Sequence, residues 1–321
     1  MATASLFPGQ GSQHVGMAQD LYDESEKARA RLQAADKILG LPLTDYMFGQ
    51  RTSDEAEAKE QLTQTEITQP ALYTHSLAAL DVLEEKGITF DMAAGHSLGE
   101  YSALAAAGAL SFEDGLRLVR RRGELMAEAG TKRPGSMAAV IGMDDDVVRE
   151  ACLEASDAER DEVVQPANYN SPGQVVISGD EQAVKRASSL LKERGGRRII
   201  PLPVSGAFHS PLMAYARDGL ASAISKVTIT EPGHPVYLNV SAEPTTDPDT
   251  IKSGLLEQLL SPVRWAETLQ NMEKDGAELF VEVGAGKVLS GLAKRTLGRR
   301  TETLQAGTAD QLDEIAARPT P

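Results

Sequence analysis

The chain predicts an α/β fold, a largely parallel sheet flanked by helices with a small ferredoxin-like domain inserted into it. Three observations carry this. Short apolar runs alternate with helical stretches at both ends of the chain. The pentapeptide Gly95-His96-Ser97-Leu98-Gly99 stands between a strand-like run and a helix-forming run. Residues 134–204 read in the order β-α-β-β-α-β, the ferredoxin-like signature. The expected division is residues 1–132 as the first part of the large domain, 133–205 as the insert, and 206–321 as the second part of the large domain.

The elements follow in order. Residues 4–7 form an apolar strand feeding the loop Pro8-Gly9-Gln10-Gly11-Ser12-Gln13, which lacks the Gly-Lys-Ser/Thr of a P-loop. Residues 22–39 form a helix, and 68–85 another with Pro70 near its start and Gly87 behind it. A strand over 90–94 enters the pentapeptide. Residues 98–107, rich in Leu and Ala and stopped by Gly108, leave it as a helix. Ser111 and Asp114 make a capping box that opens a helix to about Gly130. The insert follows as strand 136–141, helix 144–156, strands 163–168 and 174–178, helix 181–194 and strand 198–204. Ser210-Pro211 then caps a helix over 211–225. Strands over 236–240 and 279–283 and a helix over 287–297 complete the large domain, and the tail from Gly307 is expected to be loosely held.

Composition narrows the function. A chain of 321 residues can bury a large core beside a small one. A net charge of −15 argues against nucleic acid and anionic membranes as partners. No run is long and apolar enough to span a bilayer, and the N-terminus lacks the basic and apolar regions of a signal peptide. Cys152 is the only cysteine, so an internal disulfide and a cysteine-cluster metal site are excluded and the cytoplasm is the expected compartment. It lies in a helical pattern with Val148 and Ala151 and reads as packing. No metal and no permanently bound cofactor are expected.

The pentapeptide has the G-x-S-x-G form of a nucleophile elbow. Side chains at Gly95 and Gly99 would collide with the neighbouring strand and helix, and the N–H of Leu98 would sit at a helix N-terminus, ready to face an oxyanion. A serine needs a base. Of the five histidines, His75 falls in a helical pattern, His234 in a turn, and His96 inside the elbow, where it supports the turn. His209 is the candidate base: it follows the 199–204 strand and precedes a helix start that disfavours imidazolium. Arg122 has Leu118, Leu125 and Met126 at helical spacing, so it runs along an apolar surface. Two readings stand for it: a snorkelling or structurally paired arginine, or a buried guanidinium awaiting a substrate carboxylate.

Six segments in one order give the chain a wider resemblance. They are Leu6-Phe7-Pro8-Gly9-Gln10-Gly11-Ser12-Gln13, Gly95-His96-Ser97-Leu98-Gly99-Glu100-Tyr101, Arg120-Arg121-Arg122-Gly123, Asn170-Ser171-Pro172-Gly173-Gln174-Val175-Val176-Ile177-Ser178-Gly179, Gly206-Ala207-Phe208-His209-Ser210, and Gln258-Leu259-Leu260-Ser261-Pro262-Val263-Arg264-Trp265. The chain resembles the malonyl-CoA:acyl carrier protein transacylases over nearly its whole length. The resemblance implies a hydrolase-like α/β core with the ferredoxin-like insert. It implies Ser97 as the acylated nucleophile, His209 as its base, and the N–H groups of Gln10 and Leu98 as the oxyanion hole. Arg122 would bind the malonyl carboxylate, and the Gln258 main-chain carbonyl would orient His209. Asn170 and Gln174 would belong to the cleft wall built by the small domain, with His96 and Met126 as supporting residues. Phe208 would mark the malonyl-selecting form of its motif.

The partners so implied are a coenzyme A thioester and acyl carrier protein, acting on a monomer. An acidic carrier needs a local basic patch on this acidic chain. The candidates are Lys287, Lys294, Arg295, Arg299 and Arg300, which otherwise read as a solvated helix face. The rival readings are a serine thioesterase or esterase, which would use water and an acidic third residue, a polyketide-type acyltransferase, and a binding protein that kept the fold.

Overall fold

Ten strands sort into two sheets in the computed structural model, which describes residues 2–204 and 206–318. In chain order they are β1 (Ala2–Phe7), β2 (Met92–Gly95), β3 (Gly135–Ile141), β4 (Val164–Ser171), β5 (Gln174–Asp180), β6 (Arg198–Pro201), β7 (Val236–Tyr237), β8 (Pro244–Thr245), β9 (Ala277–Val283) and β10 (Glu302–Ala306). The large sheet has the order β10-β9-β1-β2-β7-β8, parallel from β10 to β7 with β8 antiparallel at one edge. Successive residues of a strand point to opposite faces. Ala4 and Leu6 accordingly pack with Met92, Ala94 and Phe280 on one side, while Phe7, Ala93 and Val281 join the core on the other. Both faces are covered, as a parallel sheet requires.

Residues 135–201 build the second sheet, β4-β5-β3-β6, with every neighbouring pair antiparallel. Helices Asp145–Ala155 and Glu181–Glu193 bury Val148, Cys152, Val184 and Leu191 against Val140, Val164 and Ile177. This is the ferredoxin-like order expected from the sequence. Burial pushes the Cys152 thiol up to about 12, which leaves it unreactive.

Several expected elements change on folding. The 22–39 helix is two helices, Gln19–Glu24 and Glu26–Leu39, broken where Ser25 turns extended and its side chain caps the Ala28 N–H. The helix holding Pro70 starts earlier, at Thr65, so the proline lies inside it. Proline leaves the carbonyl four residues back without its helical donor. Arg120 supplies one, donating from Nη1 to the Glu66 carbonyl at 2.8 Å. The strands expected over 198–204 and 236–240 stop at Pro201 and Tyr237. The tail is not loose. After β10 the helix Ala309–Ala316, capped by Thr308, buries Leu312 and Ile315 in the main core. Residues 319–321 of that tail, and Ser205 at the expected end of the insert, lie outside the described residues. Helices Pro248–Gln258 and Trp265–Lys274, absent from the sequence reading, bring Gln258 and Trp265 to the site.

Candidate active site

Three adjacent parallel strands deliver the site from their carboxyl ends. The loop after β1 carries Gln10, the turn after β2 carries Ser97, and Asn239 lies two residues beyond β7. Ser97 sits at φ 52°, in the left-handed region, a conformation that costs a non-glycine residue roughly 1–3 kcal/mol. The glycines around it do what the sequence reading asked. A Cβ on Gly95 would stand 1.8 Å from the Gly99 carbonyl, and one on Gly99 would stand 2.0 Å from the Phe7 oxygen. The strained turn is held by Asn239. Its Oδ1 accepts the Ser97 N–H at 2.7 Å and its Nδ2 donates to the Gly95 carbonyl at 2.7 Å.

His209 meets the serine, with Nε2 2.8 Å from Ser97 Oγ. Its Nδ1 lies 2.8 Å from the Gln258 main-chain oxygen. A carbonyl only accepts, so Nδ1 carries the proton and Nε2 presents its lone pair to the hydroxyl. His209 does not follow a strand of the large sheet, as the sequence suggests. The strand before it ends at Pro201 and belongs to the small sheet, so His209 sits on a loop, at φ 55°. Gln165 of β4 pins that loop, donating to the His209 and Leu260 carbonyls at 2.9 Å each. Burial, then the Arg122 guanidinium, lower the imidazole to about 3. The helix start expected at Pro211 is a 3₁₀ turn, Pro211–Met213, that runs on into the helix Ala214–Ile224.

Arg122 neither snorkels nor pairs with a carboxylate. It is 1% exposed, and no carboxylate among the described residues lies within salt-bridge distance of it. Its Nη1 donates to Gln69 Oε1 at 2.8 Å. Its Nη2 donates to Gln258 Oε1 at 2.8 Å and to Ser97 Oγ at 3.1 Å. Gly123 permits this, because the helix Phe112–Lys132 crosses so close to the Thr65–Glu85 helix that a Cβ there would meet the Glu66 Cα at 2.7 Å. Burial lowers the guanidinium pKa, the Tyr101 phenol and Glu100 carboxyl raise it, and arginine remains a cation.

These groups open on one cleft of about 110 Å3, lined also by Gln10, Leu98, Met126 and Phe208. The small sheet forms a wall, but not through the residues expected. Asn168, with Met137, Leu202 and Val204, lines the cleft. Asn170 Oδ1 instead accepts from Nε2 of His96 at 2.8 Å, the His96 ring standing edge-on to Trp265, and Gln174 Oε1 accepts from Arg295 at 2.6 Å. The five basic residues do not share one face. Lys287 follows β9, at the end of the sheet that carries the site. Arg299 and Arg300 precede β10, a parallel strand, and so lie at the opposite end, with Arg300 in a groove beside Glu273, Glu278 and Glu302. Asn239, Gln69, Gln165 and Asn168 were missed. Asn239, Gln69 and Gln165 lie 44 or more residues from the groups they bond, Asn168 only lines the cleft, and only the motif segments around Ser97 and His209 carried a local signal.

Comparison with known proteins agrees with this geometry. Residues 5–313 match the acyl transferase domain family. The chain is 45% identical to the malonyl CoA-acyl carrier protein transacylase of Bacillus subtilis (strain 168), over 97% of this chain and 95% of that protein. The structure of the malonyl CoA-acyl carrier protein transacylase from Coxiella burnetii superposes with a TM-score of 0.92 at 38% identity, covering 100% of this chain and 98% of that one. A malonyl-transacylase solved in complex with a type II PKS acyl-carrier protein superposes with a TM-score of 0.91 at 37% identity, covering 98% and 99%. Full-length likeness at this identity, together with the hydroxyl, imidazole and guanidinium brought into one cleft, places the chain in the malonyl-CoA:acyl carrier protein transacylase family.

Proposed function

We propose that the chain transfers the malonyl group of malonyl-CoA to the phosphopantetheine thiol of acyl carrier protein through a malonyl-serine intermediate, supplying fatty acid synthesis. One observation carries the reading of substrate: a buried guanidinium held only by neutral groups, in contact with the nucleophile itself. No carboxylate among the described residues touches this cation directly, and an acyl group ending in a carboxylate supplies such a contact with bidentate geometry. Acetyl groups leave it unpaired.

Chemistry proceeds in two halves. Ser97 Oγ attacks the thioester carbonyl as its proton passes to His209 Nε2. The tetrahedral intermediate collapses, and the departing coenzyme A thiolate takes that proton. The carrier thiol then gives its proton to His209 and attacks the ester carbonyl, and collapse returns the proton to Ser97. In both intermediates the oxyanion faces the N–H groups of Gln10 and Leu98, each worth about 2.7–4 kcal/mol. Gln258 replaces the acid of a triad with a carbonyl, which fixes the imidazole without adding charge. No carboxylate among the described residues takes that third place beside His209, which disfavours the hydrolase reading. All these groups belong to one chain, which supports action as a monomer, and the buried Cys152 is in keeping with a cytoplasmic setting.

The test is to incubate the protein with malonyl-CoA and weigh it intact. A gain of one malonyl group, absent in Ser97→Ala and discharged by phosphopantetheinylated carrier, is the expected result. Release of free malonate without transfer to the carrier refutes the proposal.

A further inference from the structure

Glu100 is a carboxylate to which the acyl transfer gives no part. It is fully buried in the first turn of the Gly99–Ala106 helix, three residues beyond Ser97. Its Oε2 accepts the Asn239 main-chain N–H at 2.8 Å and Gln258 Nε2 at 3.1 Å, while Oε1 has no hydrogen-bond partner among the described residues. The same Gln258 amide offers its oxygen to Arg122. Anion and cation are therefore held one amide apart, with the amide dipole aligned between them. The orientation is forced. Guanidinium only donates, and both Glu100 and the Ser97 carbonyl, which Gln258 Nε2 reaches at 2.9 Å, accept.

We propose that Glu100 is the internal counter-charge of Arg122 and, through Gln258, sets how strongly that guanidinium holds the carboxylate of the incoming acyl group. The inference rests on the reading of Arg122 as a carboxylate site. An ionised Glu100 offsets part of the field of the cation and repels a second carboxylate. A protonated Glu100 leaves the cation uncompensated. Burial pushes Glu100 up to about 7, against the pull of the Asn239 N–H, the Gln258 amide and the Arg122 guanidinium. The other groups facing it do not change charge near neutrality. Asn239 and Gln258 are neutral amides, Arg122 stays cationic, and burial raises the Tyr101 phenol out of range. Beyond Gln258, His209 is neutral above about 3.

The experiment measures kcat/KM for malonyl-CoA and for acetyl-CoA with one carrier acceptor from pH 6 to 8, in the wild-type protein and in Glu100→Gln. Glutamine keeps the volume and an acceptor oxygen but cannot ionise. The ratio of the two substrates cancels the ionisation of the shared acceptor thiol. In the wild type the malonyl-over-acetyl ratio is expected to fall about three- to tenfold as pH rises, as one added charge at this range acts in a medium of effective dielectric near 20. In Glu100→Gln it stays flat, at the wild-type low-pH value. A wild-type ratio independent of pH overturns the proposal, and so does a Glu100→Gln variant that keeps the wild-type slope. The wild-type arm overturns the proposal by a flat ratio even if the variant does not fold. Loss of discrimination between the two thioesters at every pH would instead sink the carboxylate role of Arg122, so the two failures are told apart.

Discussion

Gln69→Glu tests the substrate reading most directly, because it changes one atom in the cradle of Arg122. Gln69 Oε1 accepts from Arg122 Nη1 at 2.8 Å. A glutamate there keeps the shape and places a full negative charge on the guanidinium, with charge centres about 4 Å apart. At an effective dielectric of 20 that pair is worth about 4 kcal/mol. An acyl carboxylate must then compete with an internal one that needs no translational entropy to bind. Desolvation of the new carboxyl takes back part of the gain. We expect kcat/KM for malonyl-CoA to fall about 10²-fold, at roughly 1.4 kcal/mol per tenfold, while acetyl-CoA changes by less than about threefold. The lost donor from Gln69 Nε2 to Met126 Sδ, 3.3 Å in length, is a weak contact and adds little. The assay is coenzyme A release with each thioester under one acceptor concentration, alongside thermal unfolding to establish that the variant is folded. A folded Gln69→Glu with an unchanged malonyl-to-acetyl ratio refutes the claim that Arg122 meets the acyl carboxylate.

Three further outcomes follow from the same geometry. Arg122→Ala should lower the malonyl-to-acetyl ratio by about 10² to 4 × 10³, the equivalent of the roughly 3–5 kcal/mol lost when a buried charge pair is broken, and substrate competition reads it. Asn239→Ala removes both side-chain bonds that close the elbow, at about 1–3 kcal/mol for each buried group left unpaired. It should lower Tm and reduce kcat more than it raises KM, as steady-state kinetics would show. Acid should unfold the protein partly through two neutral buried histidines, His209 at about 3 and His75 at about 4. Their folded pKa values lie below the ordinary 6.5, so as pH falls the unfolded chain binds the protons first. Their contribution is intact above about pH 6.5 and is lost progressively toward pH 3, by roughly 5 kcal/mol for His209 at about 1.4 kcal/mol per pH unit. Denaturant titrations at pH 7, 5 and 4 check the sign, and His75→Gln should flatten part of the slope.

How much of this was legible depends on the range over which each signal acts. The elbow was readable because its constraint is local: two glycines and a serine within five residues, each required by a clash the turn itself creates. The insert was readable because strand and helix periodicities repeat within about 70 residues of chain. The break at Ser25 was a local cap signal overlooked inside a continuous helical pattern. The tail helix was misjudged because amphipathic burial of Leu312 and Ile315 depends on what covers them, and polar terminal residues hid the pattern.

By itself the sequence determined the fold class, the candidate nucleophile and the presence of a cation on an apolar helix face, since steric clash and side-chain periodicity act between near neighbours. Only the tertiary structure decided what that cation and its neighbours touch. Gln258 lies 49 residues from His209, 136 from Arg122 and 161 from Ser97, yet one side chain and one carbonyl bind all three. Whether a buried amide or carboxyl is inert packing or part of a charged chain is set by the donors and acceptors facing it in a low-dielectric interior, and chain order alone does not reveal them.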